Sequence, residues 1–470
     1  MQKIIKFFSS QELINPAALS DSRPVIATAH TKHRIQLKLR KELQQRQTAD
    51  FYYLIDIVGS CNLKCPSCPV GNYEDQHSKG LMSLEYYNLI LEKIAIEHSG
   101  EKVFIDLYNW GEPGLHKHLG EIIKLTHDFG YGVGISSNLN VFADMKAAIR
   151  AQPDYIRISL SGYFNEVYQQ THKGGDINLV KANMHLLRHW IDKTKSKTLV
   201  QVGFHIYKSN FPQDFSKMRA LCDDLGFIFA PTLAALMPVE KAALVVDGKP
   251  LPGHDALLDN LVISTGERVA LLSEARAKYP DCQYRQKRTT INFDGSVPLC
   301  CATFEQEQII APDFLEISRS ELTARKYAHS FCKKCQSRSL DMVYTGVEPH
   351  LVEAKAVNVL GKEYDDFLDE WNVSLDPTVD WQGDEMSVQA AYDKAADYKN
   401  SGDNDSAKQL FAALLLAAPS HGEASFQLGA LLESEGLYAE ALSSYKAAAA
   451  VWAYYPRYAE AVERLEKLVN

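Results

Sequence analysis

Three cysteines on one short stretch of the chain have the spacing of a metal site. Cys61, Cys65 and Cys68 form a C-x3-C-x2-C pattern directly after a run of strand-forming residues. Three thiolates on one loop can hold three corners of a cubane iron–sulfur cluster and leave its fourth iron without a protein ligand. Isolated core cysteines have no reason to adopt this spacing, and zinc normally takes a fourth protein ligand. The pattern therefore predicts a cluster with one open, reactive iron.

A second group of cysteines follows downstream with a different spacing. Cys282, Cys300, Cys332 and Cys335 form a C-x17-C pair and then a C-x2-C pair. Between the first two, residues 289–299 are two β runs joined at an Asp-Gly turn, which predicts a hairpin that brings Cys300 beside Cys282. Four thiolates suit either a fully ligated iron–sulfur cluster or a structural zinc ion, and the spacing does not separate the two.

Length, charge and cysteine content exclude several classes of protein. A chain of 470 residues is too long for one compact core, so we expect two to four domains. A net charge of −9 without a basic run argues against a nucleic acid or an anionic membrane as the partner. No apolar run has the length of a membrane helix, and the apolar patch in residues 1–10 is too short for a secretory signal. We expect a cytoplasmic protein whose nine cysteines stay reduced.

Alternation of β-rich and amphipathic helical stretches over residues 51–240 predicts an α/β fold with a parallel sheet. Six such β/α units correspond to a partial TIM-like (β/α)6 barrel. We expect strands at 52–58, 103–108, 132–137, 155–160, 199–207 and 227–232, with helices between them at 84–96, 119–128, 179–193 and 215–225.

Strand periodicity predicts a polar lumen for this barrel. On the fourth strand Arg157, Ser159 and Ser161 share one face, and on the fifth strand His205 and Tyr207 do. The opposite faces are apolar and suit packing against helices. An ordinary closed barrel fills its lumen with branched apolar side chains, so the polar faces indicate a cavity for a charged cofactor and substrate. A half-solvated antiparallel sheet is the alternative, and the β/α alternation disfavours it.

The run from Cys61 to Cys68, C-N-L-x-C-x-x-C, resembles the signature of the radical S-adenosylmethionine (radical SAM) enzymes. The resemblance implies that the amino and carboxylate groups of SAM chelate the open iron of a [4Fe–4S] cluster on Cys61, Cys65 and Cys68. An electron then cleaves the sulfonium into methionine and a 5′-deoxyadenosyl radical, which takes a hydrogen atom from the substrate. It also implies the partial barrel as the core fold and a flavodoxin or ferredoxin as the electron donor.

Several other residues are similar to SAM-binding positions of that family. Gly111, Glu112 and Pro113 follow the second strand and resemble its Gly-Gly-Glu or Gly-Glu-Pro motif, although Trp110 replaces the usual first glycine. The match implies that the turned backbone and the carboxylate receive the SAM amino group. The remaining candidates are Ser136 and Asn138 for the ribose or methionine, Ser159 and Ser161 on the fourth strand, and Lys173 for the SAM carboxylate. Each hydroxyl could equally be a capping or core-satisfied group.

The second cysteine group resembles the twitch domain, a shortened SPASM domain that binds an auxiliary [4Fe–4S] cluster. The resemblance assigns Cys282, Cys300, Cys332 and Cys335 to that cluster, and a zinc ribbon stays the alternative. A cluster with four thiolate ligands would relay electrons or accept one from a product radical, which favours a net oxidation. Cys301 points away from its neighbour Cys300 and is a candidate alternative ligand or hydrogen-atom donor, or a small buried apolar residue.

The C-terminal region contains two units offset by 34 residues. This period resembles tetratricopeptide (TPR) repeats, in which small residues permit close helix crossing. Residues 458–469 are typical of a capping helix, and the region serves either as a structural cap or as a protein-binding surface. The recurring pairs are Ala395 and Gly429, Gly402 and Gly436, Ala407 and Ala441, and Phe411 and Tyr445.

Together these patterns predict five segments. They are an N-terminal extension at 1–50 without an assigned function, a radical SAM barrel at 51–240, a linker with a small α+β twitch/SPASM domain at 241–345, a polar, partly ordered linker at 346–385, and all-α TPR-like repeats at 386–470.

The predicted function is abstraction of a carbon-bound hydrogen, followed by oxidation or epimerisation of a polyhydroxy or amino-sugar-like small molecule. Arg157, His205, Tyr207 and Cys301 are the candidates for substrate binding or for proton and hydrogen transfer. Maturation of a peptide or protein, as in SPASM enzymes, is a second hypothesis. A third is a non-enzymatic, zinc-stabilised TPR scaffold, which would contain zinc without iron and would not cleave SAM.

Overall fold

The computed structural model describes residues 29–70, 79–372, 378–419, 421–451 and 456–469. The apolar patch near the start of the sequence lies outside these ranges. Within them, every helix is too short or too polar to cross a membrane.

Seven parallel strands form the main sheet. The six predicted strands are all present, and a seventh comes from the second cysteine region. The strands are β1 Phe51–Ile55, β2 Val103–Asp106, β3 Gly132–Ser137, β4 Tyr155–Leu160, β5 Leu199–Ile206, β6 Ile228–Leu233 and β7 Arg288–Ile291. Their order in space is β6-β5-β4-β3-β2-β1-β7, so β7 extends the sheet beyond β1.

Helices between successive strands cover the outer face of this sheet, as the alternation predicts. The apolar face of β4, formed by Ile156, Ile158 and Leu160, is fully buried in the core beneath them. Local signals set the helix ends: the Ser83 side chain accepts the Tyr86 N–H at the first turn of the helix between β1 and β2. The helices of this part are α1 Ala29–Gln47, α2 Leu84–Glu97, α3 Leu119–Asp128, α4 Met145–Arg150, α5 Asn165–Thr171, α6 Ile177–Thr194 and α7 Gln213–Leu225.

The hairpin predicted for residues 289–299 is wrong in its pairing, although its turn forms. The Asn292 N–H donates to the Ser296 carbonyl at 2.8 Å, around Gly295 at φ +87°. The strand before the turn is β7, which pairs with β1; the strand after it, β8 (Val297–Pro298), pairs with β9 (Ile309–Ala311). The open edge of β1 offers unpaired backbone groups and a buried site for an apolar residue, and a two-stranded hairpin offers less burial. The second cysteine region is therefore anchored in the barrel sheet.

Helix α1 closes the amino-terminal end of the barrel. Its Leu43 is 3% exposed and clusters with inward residues near the starts of five strands. The Arg46 guanidinium donates to the Lys197 carbonyl at 2.7 Å, just before β5. This gives a structural role to part of the extension that the sequence left unassigned. The strand residues in the cluster are Tyr52, Phe104, Tyr155, Leu199 and Ile228.

The region expected to be a partly ordered linker instead contains two helices that pack on the barrel. Tyr364, Phe367 and Leu368 are buried in the main core, and the Phe367 ring lies 4.9 Å from that of Phe215. Their spacing is that of a helix with one apolar face, which the polar composition obscured. The helices after β6 are α8 Val239–Val246, α9 Asp255–Asn260, α10 Thr265–Ser273, α11 Gln283–Lys287, α12 Arg319–Ala328, α13 Ser330–Ser337, α14 Leu340–Thr345, α15 Pro349–Leu360 and α16 Lys362–Asn372.

The C-terminal tail packs on itself. A hairpin of β10 (Thr378–Trp381) and β11 (Asp384–Ser387) precedes the tail helices, and the two hydrophobic clusters of the tail contain only tail residues. At Gly429 a Cβ atom would lie 2.9 Å from the Tyr445 ring, so the small residue permits the close helix crossing. The tail helices are α17 Val388–Ser401, α18 Asn404–Ala417, α19 Gly422–Ser434, α20 Tyr438–Val451 and α21 Pro456–Val469.

We expect Leu43→Ala to lower the free energy of unfolding of the barrel by about 3 kcal/mol, because it removes buried methyl groups from a rigid cluster and leaves a cavity. Denaturant unfolding monitored by circular dichroism measures the change. Ile35→Ala on the same helix is the matched control, since Ile35 is 46% exposed and its truncation should change stability by less than about 0.5 kcal/mol. Equal effects of the two substitutions would contradict the role of α1 as a plug that closes the amino-terminal end of the barrel.

Candidate functional site

A cavity of about 530 Å³ opens at the carboxyl ends of the barrel strands. Its wall contains groups from the ends of β1 to β6, together with groups from the second cysteine region. Parallel strands direct their carboxyl ends to one side of the sheet, so residues far apart in sequence meet there. The volume is in the range of small-molecule sites.

All three cysteines of the early loop line this cavity. The loop is held at its base by the Lys64 N–H, which donates to the Lys173 carbonyl at 2.9 Å, and within itself by the Cys68 N–H to the Cys65 carbonyl at 3.0 Å. The prediction that Cys61, Cys65 and Cys68 share one site therefore agrees with their placement.

Phe293 supports the segments on both sides of the loop. A Cβ atom at Gly59 would lie 2.2 Å from the Phe293 ring, and one at Gly80 would lie 2.6 Å from it. The Gly59 N–H also donates to the Gly80 carbonyl at 2.9 Å. The absence of side chains at both glycines lets the ring lie directly on the backbone, so a residue of the β7 turn fixes the cysteine loop.

The surroundings of the loop thiols suit an iron–sulfur cluster. The Leu63 N–H and the Asn138 side-chain amide lie 3.5 and 3.6 Å from the Cys61 sulfur, as donors that favour the thiolate form that binds iron. Burial raises the pKa of Cys61 to about 12. Within the described residues, no three His, Cys, Asp or Glu side chains are placed to hold a single metal ion. The three thiols line one wall of the cavity and do not converge on a single ion, which is compatible with a cubane because each thiolate there binds a different iron.

Asp56, at the end of β1, holds the turn that contains Gly111. Its carboxylate accepts the Trp110 N–H at 2.9 Å and the Gly111 N–H at 3.0 Å, and burial raises its pKa to about 6. A Cβ atom at position 111 would lie 1.6 Å from the Val58 carbonyl oxygen, so only glycine fits. Sequence analysis did not select Asp56, because a single acid after a strand has no distinctive pattern.

Trp110 departs from the family motif, and the structure shows where its side chain goes. The indole N–H donates to the Thr303 carbonyl at 3.1 Å, and the ring packs edge-on against Phe304 at 5.9 Å. The backbone of Trp110 follows the same turn as Gly111. The side chain thus leaves the turn and joins it to the segment just after Cys300 and Cys301.

Glu112 is buried and each of its oxygens accepts a backbone N–H. Oε1 accepts from Gly114 and Oε2 from Asn138, both at 2.8 Å. Burial raises the pKa of Glu112 to about 7. The carboxylate ties the β2 loop, including the 3-10 turn that begins at Pro113, to the end of β3. Its observed contacts therefore position the loop, and the expected contact with a SAM amino group stays a prediction.

The other cofactor candidates divide into two sets. Ser136, Asn138 and Ser159 line the cavity, whereas Ser161 lies outside its lining, with its hydroxyl 3.0 Å from His172 Nδ1. Lys173 is exposed and contributes only its backbone carbonyl to the site. The structure does not bring these last two side chains to the cavity.

His172 occupies the wall that Lys173 was expected to reach. Its ring stacks on Tyr168 with centroids 4.6 Å apart, and burial lowers its pKa to about 4. In the sequence, His172 is a single histidine beside a threonine, and no pattern marks it as a residue of the cavity wall.

All four substrate-side candidates line the same cavity: Arg157, His205, Tyr207 and Cys301. Burial, with the charge of Arg157, lowers the pKa of His205 to about 3, so its imidazole is neutral. Tyr207 hydrogen-bonds to Ser67 on the cysteine loop. Arg288, which the sequence did not indicate, places Nη1 3.8 Å from the Cys301 sulfur.

The four downstream cysteines line one separate pocket. Cys282, Cys300, Cys332 and Cys335 surround it, and Cys301 faces the main cavity on the other side, as the opposite directions of neighbouring residues predict. Arg285 Nη1 lies 3.8 Å from the Cys332 sulfur. Four thiols with a nearby cation suit a metal group that carries net negative charge.

A layer one side chain thick separates the pocket from the cavity. Tyr284, Ala302 and Tyr344 line both spaces, and the Tyr284 hydroxyl donates to the Tyr344 carbonyl at 2.5 Å. The Arg288 guanidinium lies 4.3 Å from the centre of the Tyr284 ring. The two cysteine groups therefore lie in adjacent spaces that share these three residues.

The sequence matches no protein-family model and no curated protein at a significant level. Among solved structures it is loosely similar to BtrN in complex with AdoMet and 2-DOIA, with 13% identity and a TM-score of 0.38 over 61% of this chain and 87% of that one. It is similar to native anSMEcpe with bound AdoMet with 17% identity and a TM-score of 0.40 over 65% of this chain and 98% of that one. It is also similar to Streptococcus suis SuiB bound to precursor peptide SuiA, with 13% identity and a TM-score of 0.40 over 72% of this chain and 77% of that one. Likeness at this level does not establish a shared activity.

We expect the stability difference between the wild type and Glu112→Gln to depend on pH. The pKa of Glu112 is raised from 4.5 to about 7, so the folded chain holds this proton more tightly than the unfolded chain does. Ionisation therefore lowers the free energy of unfolding, beginning above pH 4.5 and reaching its full extent above pH 7. The glutamine does not titrate.

Lowering the pH from about 8 to about 5 should thus raise the wild-type free energy of unfolding, relative to Glu112→Gln, by about 2 to 3 kcal/mol. Denaturant titrations at a series of pH values measure this difference, in which all other titrating groups cancel. A difference that stays constant with pH would contradict the raised pKa.

Proposed function

We propose that this chain is a radical SAM enzyme with an auxiliary iron–sulfur cluster. The supporting observation is the shared cavity: the loop thiols, the Gly111 turn and the four substrate-side candidates line one space, and the downstream thiols lie one side-chain layer away. A [4Fe–4S] cluster on Cys61, Cys65 and Cys68 with bound SAM would supply the radical that removes a carbon-bound hydrogen.

The chain's own residues shape this cavity for the cofactor. Leu63 and Asn138 donate hydrogen bonds toward the Cys61 sulfur, and the Asp56 carboxylate sets the Gly111 turn beside it. Ser136 and Ser159 present hydroxyls on neighbouring strands, where they can bind the polar parts of SAM. The arrangement orients a polar cofactor against the cysteine loop.

Oxidation of an alcohol carbon is the reaction that this arrangement supports best. The carbon loses one hydrogen atom to the radical, the hydroxyl loses one proton to a base, and one electron must leave the substrate. His205 is neutral and lines the cavity, so it can accept a hydrogen bond from this hydroxyl, although its lowered pKa makes it a weak base. A cluster on Cys282, Cys300, Cys332 and Cys335, behind the Tyr284 layer, would take the electron.

Epimerisation is the second candidate, and Cys301 is the observation that favours it. Its thiol faces the cavity, where it can return a hydrogen atom to the substrate carbon from the opposite side. Arg288 Nη1 lies 3.8 Å away from the sulfur. In this reaction the substrate loses no electron, but Cys301 is left as a thiyl radical after it gives up its hydrogen atom. One proton and one electron must restore the thiol before the next turnover, and a reduced cluster in the auxiliary pocket, fed by the external electron donor, would supply that electron.

The size of the cavity favours a small polyhydroxy molecule as the substrate. A space of about 530 Å³ must hold SAM and substrate together, which leaves little room for a large ligand. Peptide or protein maturation stays the alternative, because TPR-like tails commonly hold polypeptides and the tail here packs as a unit of its own. A zinc-stabilised scaffold is the non-enzymatic alternative.

Metal content and SAM cleavage test the proposal. Anaerobically reconstituted wild type should contain about eight irons per chain and form 5′-deoxyadenosine under reduction. Cys61→Ser should retain about four irons and form none, and Cys282→Ser should lose about four irons but keep the cavity cluster. Elemental analysis and mass spectrometry measure these quantities.

The control is Cys222→Ala, because Cys222 is buried on α7 outside both groups and should leave the iron content unchanged. About four irons in the wild type would refute the auxiliary cluster, and zinc without iron would favour the scaffold. An intact cluster that forms no 5′-deoxyadenosine would refute the proposed function.

A further inference from the structure

Arg157 places its guanidinium in the lumen of the barrel. It lies on β4, whose register pairs Arg157 with Gln201, and its side chain reaches over Gly203 on β5. A Cβ atom at position 203 would lie 2.5 Å from Nε and 2.6 Å from Nη2 of Arg157. The glycine therefore leaves the space in which the guanidinium lies against the β5 backbone.

The guanidinium has no carboxylate partner in the part of the chain that the structure describes. Among the described residues, no Asp or Glu oxygen lies within salt-bridge distance of Arg157; the Asp106 carboxylate on β2 accepts the Tyr155 hydroxyl and influences Arg157 only at longer range. Two other arginines of this part of the chain differ. Arg268 donates to the Ala234 carbonyl at 3.0 Å, and Arg276 pairs with Asp341 at 2.6 Å.

The charged lining of the cavity favours a ligand of negative charge. Apart from the cysteines, the described lining carries charge at Arg157, Arg268 and Glu112. Arg268 is engaged with backbone carbonyls, and both oxygens of Glu112 accept backbone N–H groups. What the described lining offers to a substrate is a guanidinium fork, because its one carboxylate, Glu112, is held by backbone N–H groups and is the group expected to receive the SAM amino group.

Arg157 lies deeper on β4 than Ser159 and level with Ser136 on the neighbouring strand β3. Ser159 follows it by two residues toward the carboxyl end of β4, a rise of about 6.6 Å along the strand. The cysteine loop lies beyond the strand ends. A ligand that reaches Arg157 therefore extends below Ser159 into the lumen.

We propose that the substrate carries an oxyanion, a carboxylate or a phosphate group, that the Arg157 fork binds at the inner end of the cavity. The planar guanidinium presents two parallel N–H donors, which match both oxyanions. The inference rests on the proposed function and refines its substrate class: the polyhydroxy part is kept, and an anionic group replaces the amino group expected from the sequence.

The test uses the full-length, anaerobically reconstituted protein with SAM present. Four probes share one sugar ring: D-glucuronate, D-glucose 6-phosphate, D-glucose and D-glucosamine. Calorimetric titration should show that one anionic probe binds at least about tenfold more tightly than glucose, with glucosamine weakest. Which of the two binds distinguishes a carboxylate from a phosphate substrate, and the preference should diminish at high ionic strength.

Two variants address the fork by different means. Arg157→Met removes the charge and should abolish the preference for the anionic probe. Gly203→Ala keeps the charge but puts a methyl group where the guanidinium lies, so the anionic probe should bind at least about threefold more weakly. Arg188→Gln, which removes an arginine paired with Asp192 on the surface of α6, is the matched control and should change nothing.

Each remaining outcome overturns the inference. The first is a wild type that shows no preference for either anionic probe, or that binds none of the probes. The second is an Arg157→Met protein that keeps the preference. Loss of SAM binding in Arg157→Met would assign the guanidinium to the SAM carboxylate instead. Measuring 5′-deoxyadenosine in the same preparations separates the two proposals: its absence from the wild type refutes the proposed function, whatever the probes show.

Discussion

The parallel pairing of β7 with β1 is the constraint on which the rest of the site depends. It joins residues 288–291 to the strand that leads directly into the cysteine loop. The turn after β7 places the Phe293 ring on the backbone at both sides of that loop. Further along, the same segment brings Cys301 to the cavity wall and Cys300 to the separate pocket of the downstream cysteines. One strand pairing thus sets the spacing between the two groups of thiols.

Buried acids perform the positioning that the backbone cannot do alone. Asp56 and Glu112 each accept two backbone N–H groups, and together they hold the β2 loop against the ends of β1 and β3. Burial raises the pKa of both carboxyl groups, because it disfavours their charged forms. The hydrogen bonds that position the loop therefore come at the cost of some folding free energy. Such a cost is common where a site must keep its geometry in a poorly hydrated space.

Much of this architecture follows from local sequence signals. The strands β3 and β4 have the predicted bounds, because alternation of apolar and polar residues reports directly on the two faces of a strand. The same alternation correctly indicated that Arg157 and His205 face the lumen. The spacing of the loop cysteines was sufficient to place them in one site.

The features that the sequence did not reveal depend on contacts between distant segments. No local pattern shows that residues 288–291 prefer the edge of β1 to their own hairpin, or that Arg288 reaches Cys301. Asp56 and His172 are single residues whose roles arise only when several strand ends meet. The apolar face of α16 was visible in principle but was masked by its acidic residues.

The plug formed by α1 has a consequence for how the chain reaches its native state. This helix is among the first described segments to be synthesised, yet Leu43 packs against β6 and Arg40 lies 3.2 Å from the centre of the Trp371 ring. The β6 partner lies near the middle of the chain, and Trp371 follows Arg40 by 331 residues. The helix can therefore dock fully only after these distant segments have been made, and contacts of such long sequence separation form slowly.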